Sequence, residues 1–317
     1  MDKIYIVGGG ASGMMAAIQA KTKDNEVILL EKSDRVGKKI LATGNGKCNL
    51  GNENLSVDCY YSKNSSFVEQ VLKRYDTESA VSFFASIGLK VRSKNGYLYP
   101  YAEQASVVLD VLRMELERRS IQVKPGVQIT DCTPLINKRG YLLKTPDGRS
   151  YEADRVILAC GGPASLKEGG KDGYNILQKL GLKTYPLVPG LVQLRTDGKE
   201  QKALSGVRCK ASLRLFADGI HQGSEQGELQ LTDYGISGIP VFQLSRVAAY
   251  ALRNRKSVMV QIDFTPEYSY DEIVTYLLEQ QNLRKDQTVD ELLTGFLNKK
   301  INLVFLKKCQ IAGNRTI

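Results

Sequence analysis

The chain contains one histidine, His221, and six cysteines that never pair as CxxC. That scarcity leaves no zinc-type ligand cluster and no disulfide framework, and it speaks against a catalytic triad built on imidazole. Cys48, Cys59, Cys132, Cys160, Cys209 and Cys309 are instead expected as reduced, mostly buried thiols. No apolar run reaches the ~18 residues that suggest a membrane helix. The first residues carry neither a basic segment nor the apolar core of a secretory signal, so a soluble, cytoplasmic protein is the expectation. Tandem repeats and low-complexity tracts are also lacking.

What is present is ordinary globular material: 317 residues, 42% hydrophobic and 25% charged, enough for two domains or for one domain carrying an insertion. Lys and Arg outnumber Asp and Glu 44 to 34, and the net charge of +10 favours anionic ligands such as dinucleotides. The excess is spread along the chain, so nucleic acid is not the expected partner. A small-molecule substrate is expected, and the oligomeric state is left open.

Lys3–Val7 reads as a short buried strand, the glycines after it as a tight turn, Ser12–Lys21 as a helix and Asn25–Glu31 as a second strand. A strand, turn, helix and strand within about 30 residues form a βαβ unit, which implies a parallel sheet and an α/β fold. Within it Gly8-Gly9-Gly10-Ala11-Ser12-Gly13 satisfies GxGxxG. Gly8 suits the sharp turn, Gly10 the close approach of a pyrophosphate, and Gly13 the packing of helix on strand. Glu31 falls about 20 residues on, where a carboxylate can accept hydrogen bonds from ribose hydroxyls. The fingerprint points to dinucleotide binding but does not separate NAD from FAD, which share the ADP half.

After a glycine-rich loop at 36–51, apolar residues recur at helical spacing over Phe67–Ile87 and Ala105–Arg119, predicting helices that cover the sheet. Tyr141–Thr145 and Tyr151–Ala153 flank a Pro-Asp-Gly turn and predict a hairpin, and Arg155–Gly162 reads as a strand re-entering the main sheet. From about Pro186 short β-like runs take over, among them Leu191–Arg195, Ala211–Phe216 and Val258–Phe264. The tail Ser269–Lys308 is helical by pattern, with Leu277, Leu278, Leu283, Leu292, Leu293 and Phe296 as candidate core. Two domains are expected, 1–185 and 186–317, the second β-rich to about 266 and helical beyond it.

The segment Arg35–Leu50, with its Thr43-Gly44-Asn45-Gly46-Lys47-Cys48-Asn49 core, resembles the signature of one flavoprotein family, which includes aminoacetone-oxidase-like and bile-acid-reductase-like (BaiN) members. Gly96–Pro100, Leu158–Ala164 and Gly227–Gly238 are further matches, so the likeness covers essentially the whole chain. It implies a Rossmann-like FAD-binding domain interrupted by a β-barrel-like and helical insert. It also implies that Gly8, Gly10, Ala11, Ser12 and Gly13 meet the pyrophosphate, with Glu31, Lys32 and Val127 at the adenosine end. Gly37, Lys38, the Thr43–Asn49 loop (Thr43, Gly44, Asn45, Gly46, Cys48, Asn49) and the return segment with Ala159, Gly161 and Gly162 complete the expected cofactor contacts. Exposed backbone N–H groups in that loop suit the negative charge that a flavin gains on reduction, and Asn45 and Asn49 are candidate side-chain donors.

Family members are longer and return after the insert to the FAD domain, a segment outside these 317 residues. Many carry His where this chain has Asp233, so no acid–base role is assigned there. His221, in the turn Asp218–Gly223, is read as a surface residue, and no catalytic side chain is assigned. The reaction implied is hydride transfer between NAD(P)H, FAD and a small organic substrate. Amine oxidation by oxygen and a noncatalytic nucleotide- or RNA-binding role are the competing readings.

Overall fold

The unbroken apolar run in Lys3–Val7 calls for a strand buried on both faces, and the sheet that forms around it organises the first half of the chain. The computed structural model describes residues 1–62, 64–164 and 171–316, and the chain divides into two units, Met1–Thr184 and Tyr185–Ile317. In chain order, unit 1 contains β1 (Asp2–Val7), α1 (Ala11–Ala20), β2 (Asn25–Glu31), α2 (Lys38–Leu41), β3 (Gly51–Asn52), α3 (Ser65–Arg74) and α4 (Thr77–Ser86). It continues with β4 (Val91–Lys94), β5 (Tyr97–Pro100), α5 (Ala105–Arg118) and β6 (Gln122–Pro125). β7 (Asp131–Pro134), β8 (Tyr141–Lys144), β9 (Ser150–Ala153), β10 (Arg155–Leu158) and α6 (Asp172–Lys179) complete it.

The central sheet is parallel in the order β10-β1-β2-β6. Alternation along its two inner strands sends side chains to both sides. Ile4, Ile6, Val27 and Leu29 meet Met14, Ala17 and Ile18 of α1 and Val108, Leu109, Leu112 and Leu116 of α5. Tyr5, Val7, Ile28 and Leu30 meet Cys132, Leu143 and Ala153 of the antiparallel meander β7-β8-β9, together with Ile176 of α6. Burial on both faces explains why β1 and β2 read as continuous hydrophobic runs.

The stretch Phe67–Ile87 is not one helix. Asp76 breaks it by accepting the Ser79 N–H and capping α4, and neither α3 nor α4 has a buried residue. Phe83, Phe84 and Ile87 only edge onto the core, so α1 and α5 carry the cover expected of the whole region.

Unit 2 contains β11 (Leu194–Arg195), α7 (Gln201–Leu204), β12 (Arg208–Ala217), β13 (Ile220–Thr232) and β14 (Gly235–Ser237). α8 (Ile239–Arg253), β15 (Val258–Asp263), α9 (Tyr270–Leu283), α10 (Val289–Leu293) and α11 (Lys299–Lys308) follow. Its sheet is a curled, barrel-like antiparallel array ordered β11-β14-β13-β12-β15. Ala211, Leu213 and Leu215 alternate inward and pack with Leu229 and Leu231 against Val241, Leu244 and Ala248 of α8. The helical tail departs from expectation. Of its six candidate core residues only Leu292 is buried, while Leu278 and Leu283 are exposed.

One ionic cluster pins α5 to α1. Glu115, only 4% exposed, accepts from Arg118 and Arg119, and Arg119 also donates to the Ile18 carbonyl at 3.0 Å. Hydrogen bonds from Arg118, then from Arg119, hold the Glu115 carboxyl down to about 2 against the opposing effect of burial. Because the folded value lies below the ordinary glutamate value of about 4.3, the contribution is full above that pH and is lost as pH falls toward the folded value. Glu115→Gln is therefore expected to lower unfolding free energy at neutral pH by on the order of 1–2 kcal/mol. Urea titrations of both proteins should show this gap narrowing as the pH drops below about 4. A gap independent of pH would mean that shape, and not charge, is what the variant disturbs.

Candidate functional site

In an open parallel sheet the usable crevice lies beyond the carboxyl ends of the strands, where connections leave a central strand in opposite directions. Here β1 is that strand, with β2 on one side and β10 on the other. The segments that follow β1, β2, β6 and β10 are Gly8–Gly13, Glu31–Ser33, Val127–Ile129 and Ala159–Gly162, and residues from all four line two hollows. The larger, of about 350 Å³, has the glycine turn, Ala11 and Ser12 on one side and Ala159, Gly161 and Gly162 on the other. Lys32, Gly37 and Lys38 reach it as well. The smaller, of about 50 Å³, lies between Val7, Glu31, Lys32 and Val127.

The three fingerprint glycines do different work. Gly8 has φ +110, and a Cβ there would run into the Ala159 backbone. A Cβ on Gly13 would overlap the Gly8 carbonyl oxygen. At Gly10, which caps the N-terminus of α1, a Cβ would meet no protein atom within 4 Å. That open space faces the helix N-terminus, where free N–H groups and the helix dipole favour an anion, so the site fits the pyrophosphate of a dinucleotide.

Glu31 closes β2 with its carboxylate already engaged: Oε2 accepts the Gly9 N–H at 2.6 Å and Oε1 the Ser33 N–H at 2.8 Å. A carboxylate has acceptor sites to spare for ribose hydroxyls, and the two backbone donors fix its direction. Val127 is buried, and its N–H donates to the Glu31 carbonyl at 2.8 Å, so the segment after β6 is tied to the end of β2.

Sequence reasoning missed Asp172 and Gln128. Asp172, at the start of α6, lines the smaller hollow, lies 3.7 Å from Lys32 Nζ and accepts from Gln128 Nε2 at 3.1 Å. The signal available was the Asp172-Gly173 pair just beyond the return strand. Gly173 lies so close that a Cβ on it would crowd the Cys160 side chain. Lys39, unassigned within the family motif, donates to the Gly162 carbonyl at 2.7 Å and joins the return segment to α2.

Thr43, Gly44, Asn45, Gly46, Cys48 and Asn49 lie outside the lining of both hollows. Asn45, Gly46 and Cys48 have positive φ, and Thr43 Oγ1 accepts the Cys48 N–H at 3.2 Å, so the loop is tightly coiled. The Asn49 amide donates to the Gly51 and Leu98 carbonyls, which removes it as a donor to a ligand. Cys48 packs in the helix-side core, and burial pushes both its thiol and that of Cys160 up, away from the thiolate that a redox relay needs. His221 lies on β13, edge-on to Phe216, with Nε2 2.8 Å from Ser224 Oγ, and Asp233 occupies the exposed β13–β14 turn.

Comparison with known proteins accounts for both units. The HI0933-like protein Rossmann domain matches residues 2–247, and the HI0933-like protein barrel and H2TH domain matches residues 188–317. A 3-dehydro-bile acid delta(4,6)-reductase of Clostridium scindens is 40% identical over 317 residues, covering 99% of this chain and 77% of the relative. Ribosomal RNA dihydrouridine synthases of Haemophilus influenzae and Escherichia coli are 26% and 24% identical, each over 93% of this chain and over 72% and 71% of their own length.

The glycine geometry makes a paired prediction. Gly10→Ala should fold with a Tm lowered only slightly, by loss of a glycine N-cap, yet bind ADP and FAD at least ~10-fold more weakly, because its methyl enters ligand space. Gly13→Ala should fail to fold or melt far lower, since β1 and α1 would have to separate. Circular dichroism melts and ligand titrations separate the two, and equal behaviour of the variants would refute the division.

Proposed function

The chain belongs to the HI0933-like family, and on that premise we propose that this FAD-dependent oxidoreductase reduces a carbon–carbon double bond conjugated to a carbonyl group. The observation that carries the reading is the 40% identity, over nearly the whole chain, to a reductase whose name specifies that chemistry. A 3-dehydro group is a ketone, and double bonds at positions 4 and 6 extend its conjugation. The same pattern recurs in the more distant relatives named for dihydrouridine, the product of saturating a pyrimidine double bond that is conjugated to a ring carbonyl.

Bound FAD would supply the two electrons that the reduction consumes, drawn from NAD(P)H. Gly10, Ala11 and Ser12 at the start of α1 would hold its pyrophosphate, with Glu31, Lys32 and Val127 at the adenosine end. Gly37, Lys38, Ala159, Gly161 and Gly162 line the path along the groove. The Gly37 N–H donates to the Gly9 carbonyl at 2.8 Å, so α2 and the Thr43–Asn49 loop beyond it are anchored to the phosphate turn. We place that loop, with its Gly44, Asn45 and Gly46 backbone, against the flavin. Lys47 within it is held at 2.5 Å by Glu103, which also accepts from Arg92. This pairing keeps the ammonium group at a fixed place beside the loop, where a positive charge would favour the reduced cofactor.

A second substrate reading, uridine within RNA, draws on the 26% relative and on the net charge of +10. One experiment separates the readings. The FAD-loaded chain is reduced anaerobically with NADPH or NADH and then offered a 3-oxo-4,6-diene steroid, a ribosomal RNA fragment, or the saturated 3-ketone. Reoxidation by the dienone, with loss of its long-wavelength absorbance and no response to the saturated ketone, is the expected result. Reoxidation by RNA alone would transfer the chemistry to uridine. A protein indifferent to both, but turning over an amine with oxygen, would overturn the proposal in favour of an oxidase.

A further inference from the structure

Unit 2 forms an apolar cleft of about 600 Å³, open to solvent on one side, among β15, α9, α10 and α11, larger than either hollow beside the glycine turn. Leu277, Leu278, Leu292, Leu293 and Phe296, which the periodicity marks as core, line it instead of filling it. We propose that this cleft is a binding site for a neutral lipophile of drug-like or steroid-like size. The inference rests on unit 2 alone and not on the reductase reading.

Three observations support it. The volume falls in the range of about 300–1,000 Å³ typical of small-molecule sites, far above what a packing defect leaves. The walls are fixed: capping boxes at Ser269/Glu272 and Thr288/Glu291 start α9 and α10, and the end of the chain returns to pair with α10 through Val289 N–H to Arg315 O and Asp290 N–H to Gly313 O. Tyr276 stacks on Phe296 at 5.4 Å, and Phe264 meets Phe305 edge-on at 5.8 Å, bracing two sides. A cleft held open in this way cannot collapse cheaply onto itself.

The chemistry of the wall selects the ligand. Its polar groups are largely engaged within the protein: the Asn302 amide donates to the Leu293 and Leu297 carbonyls, and Asp263 accepts the Thr265 N–H at 2.9 Å. No Lys or Arg is among the described residues that line it, and the one charged side chain there is Asp263. An apolar ligand therefore gains burial and loses no hydrogen bonds, whereas a carboxylate would enter without a cation and near a like charge.

The test uses the full FAD-loaded chain and pyrene, which has no carbonyl and cannot serve as a reductase substrate. Saturable one-to-one binding is expected, with the pyrene vibronic bands moving to their hydrocarbon ratio, while pyrenebutyrate binds more weakly. Leu277→Trp and Leu293→Trp, on two different helices, should each weaken pyrene binding by a factor of about 10 or more by filling the space, with FAD affinity unchanged. In the unsubstituted chain, pyrene should slow alkylation of Cys309, a lining residue, by N-ethylmaleimide and leave Cys59, which is also exposed, unaffected. Non-saturable partitioning, or wild-type affinity in both folded Trp variants, would overturn the proposal. Should the variants not fold, failure of pyrene to protect Cys309 would overturn it as well.

Discussion

Unit 1 depends on one close approach. β1, the first turn of α1 and the return from β10 meet with no room for a side chain at Gly8 or Gly13. The Gly8 N–H donates to the Leu30 carbonyl and the Ala159 N–H to the Val7 carbonyl, each at 2.8 Å, so three parallel strands end in one bonded cluster. Once those strands are in register, the helix can only start there, and its unsatisfied N–H groups must face the crevice. The anion site is thus a consequence of the packing and not an addition to it. For that reason glycine is required at Gly8 and Gly13 by the protein itself, whereas at Gly10 the fold leaves room for a side chain.

Electrostatics in the groove point the same way. The three lysines beside it are engaged by the protein, Lys38 with Asp34 at 2.7 Å, Lys32 with Asp172 at 3.7 Å and Lys39 on the Gly162 carbonyl at 2.7 Å, while Arg35 also lines the groove. A phosphate placed in this setting would meet backbone N–H groups and the α1 dipole, which carry direction as well as charge. The net charge of +10 can raise the encounter rate with anions, but it does not specify where they sit.

What the sequence reveals follows the range of each interaction. Lys3–Val7, the six-residue turn and Glu31 are legible because strand, turn and carboxylate lie within one βαβ unit and their spacing is fixed by it. The hairpin around Asp147 is legible because its two strands and turn are neighbours in the chain, and Arg155–Leu158 is legible as a strand from its own apolar run although its partner β1 lies far away in sequence. Asp172 is not, because its value comes from Lys32 and Gln128, residues brought to it from the ends of other strands. The break before α4 turns on one capping bond at Asp76, which apolar periodicity does not register. Leu277 and Leu278 carry the right spacing for a core, but spacing cannot say whether the facing elements close the gap, and here the capped helices hold it open.

The two units also differ in what diversity they permit. Relatives 40% and 26% identical carry names for a 3-dehydro-bile acid and for dihydrouridine in ribosomal RNA, molecules of very different size and shape. In unit 1 the glycines, the strand register and the Glu31 carboxylate constrain one another, so a change at Gly8 or Gly13 disturbs the sheet itself. Unit 2 has its own core of Leu213, Leu215, Leu229 and Val241 and needs nothing from the cofactor to pack. Its helical end packs onto that core through Ile301 and Leu297, while residues lining the cleft among α9, α10 and α11 can change at small cost in stability, because side chains that already border open space lose little when they change. Changes of side chain are therefore easier to accommodate there than around the glycine turn of unit 1.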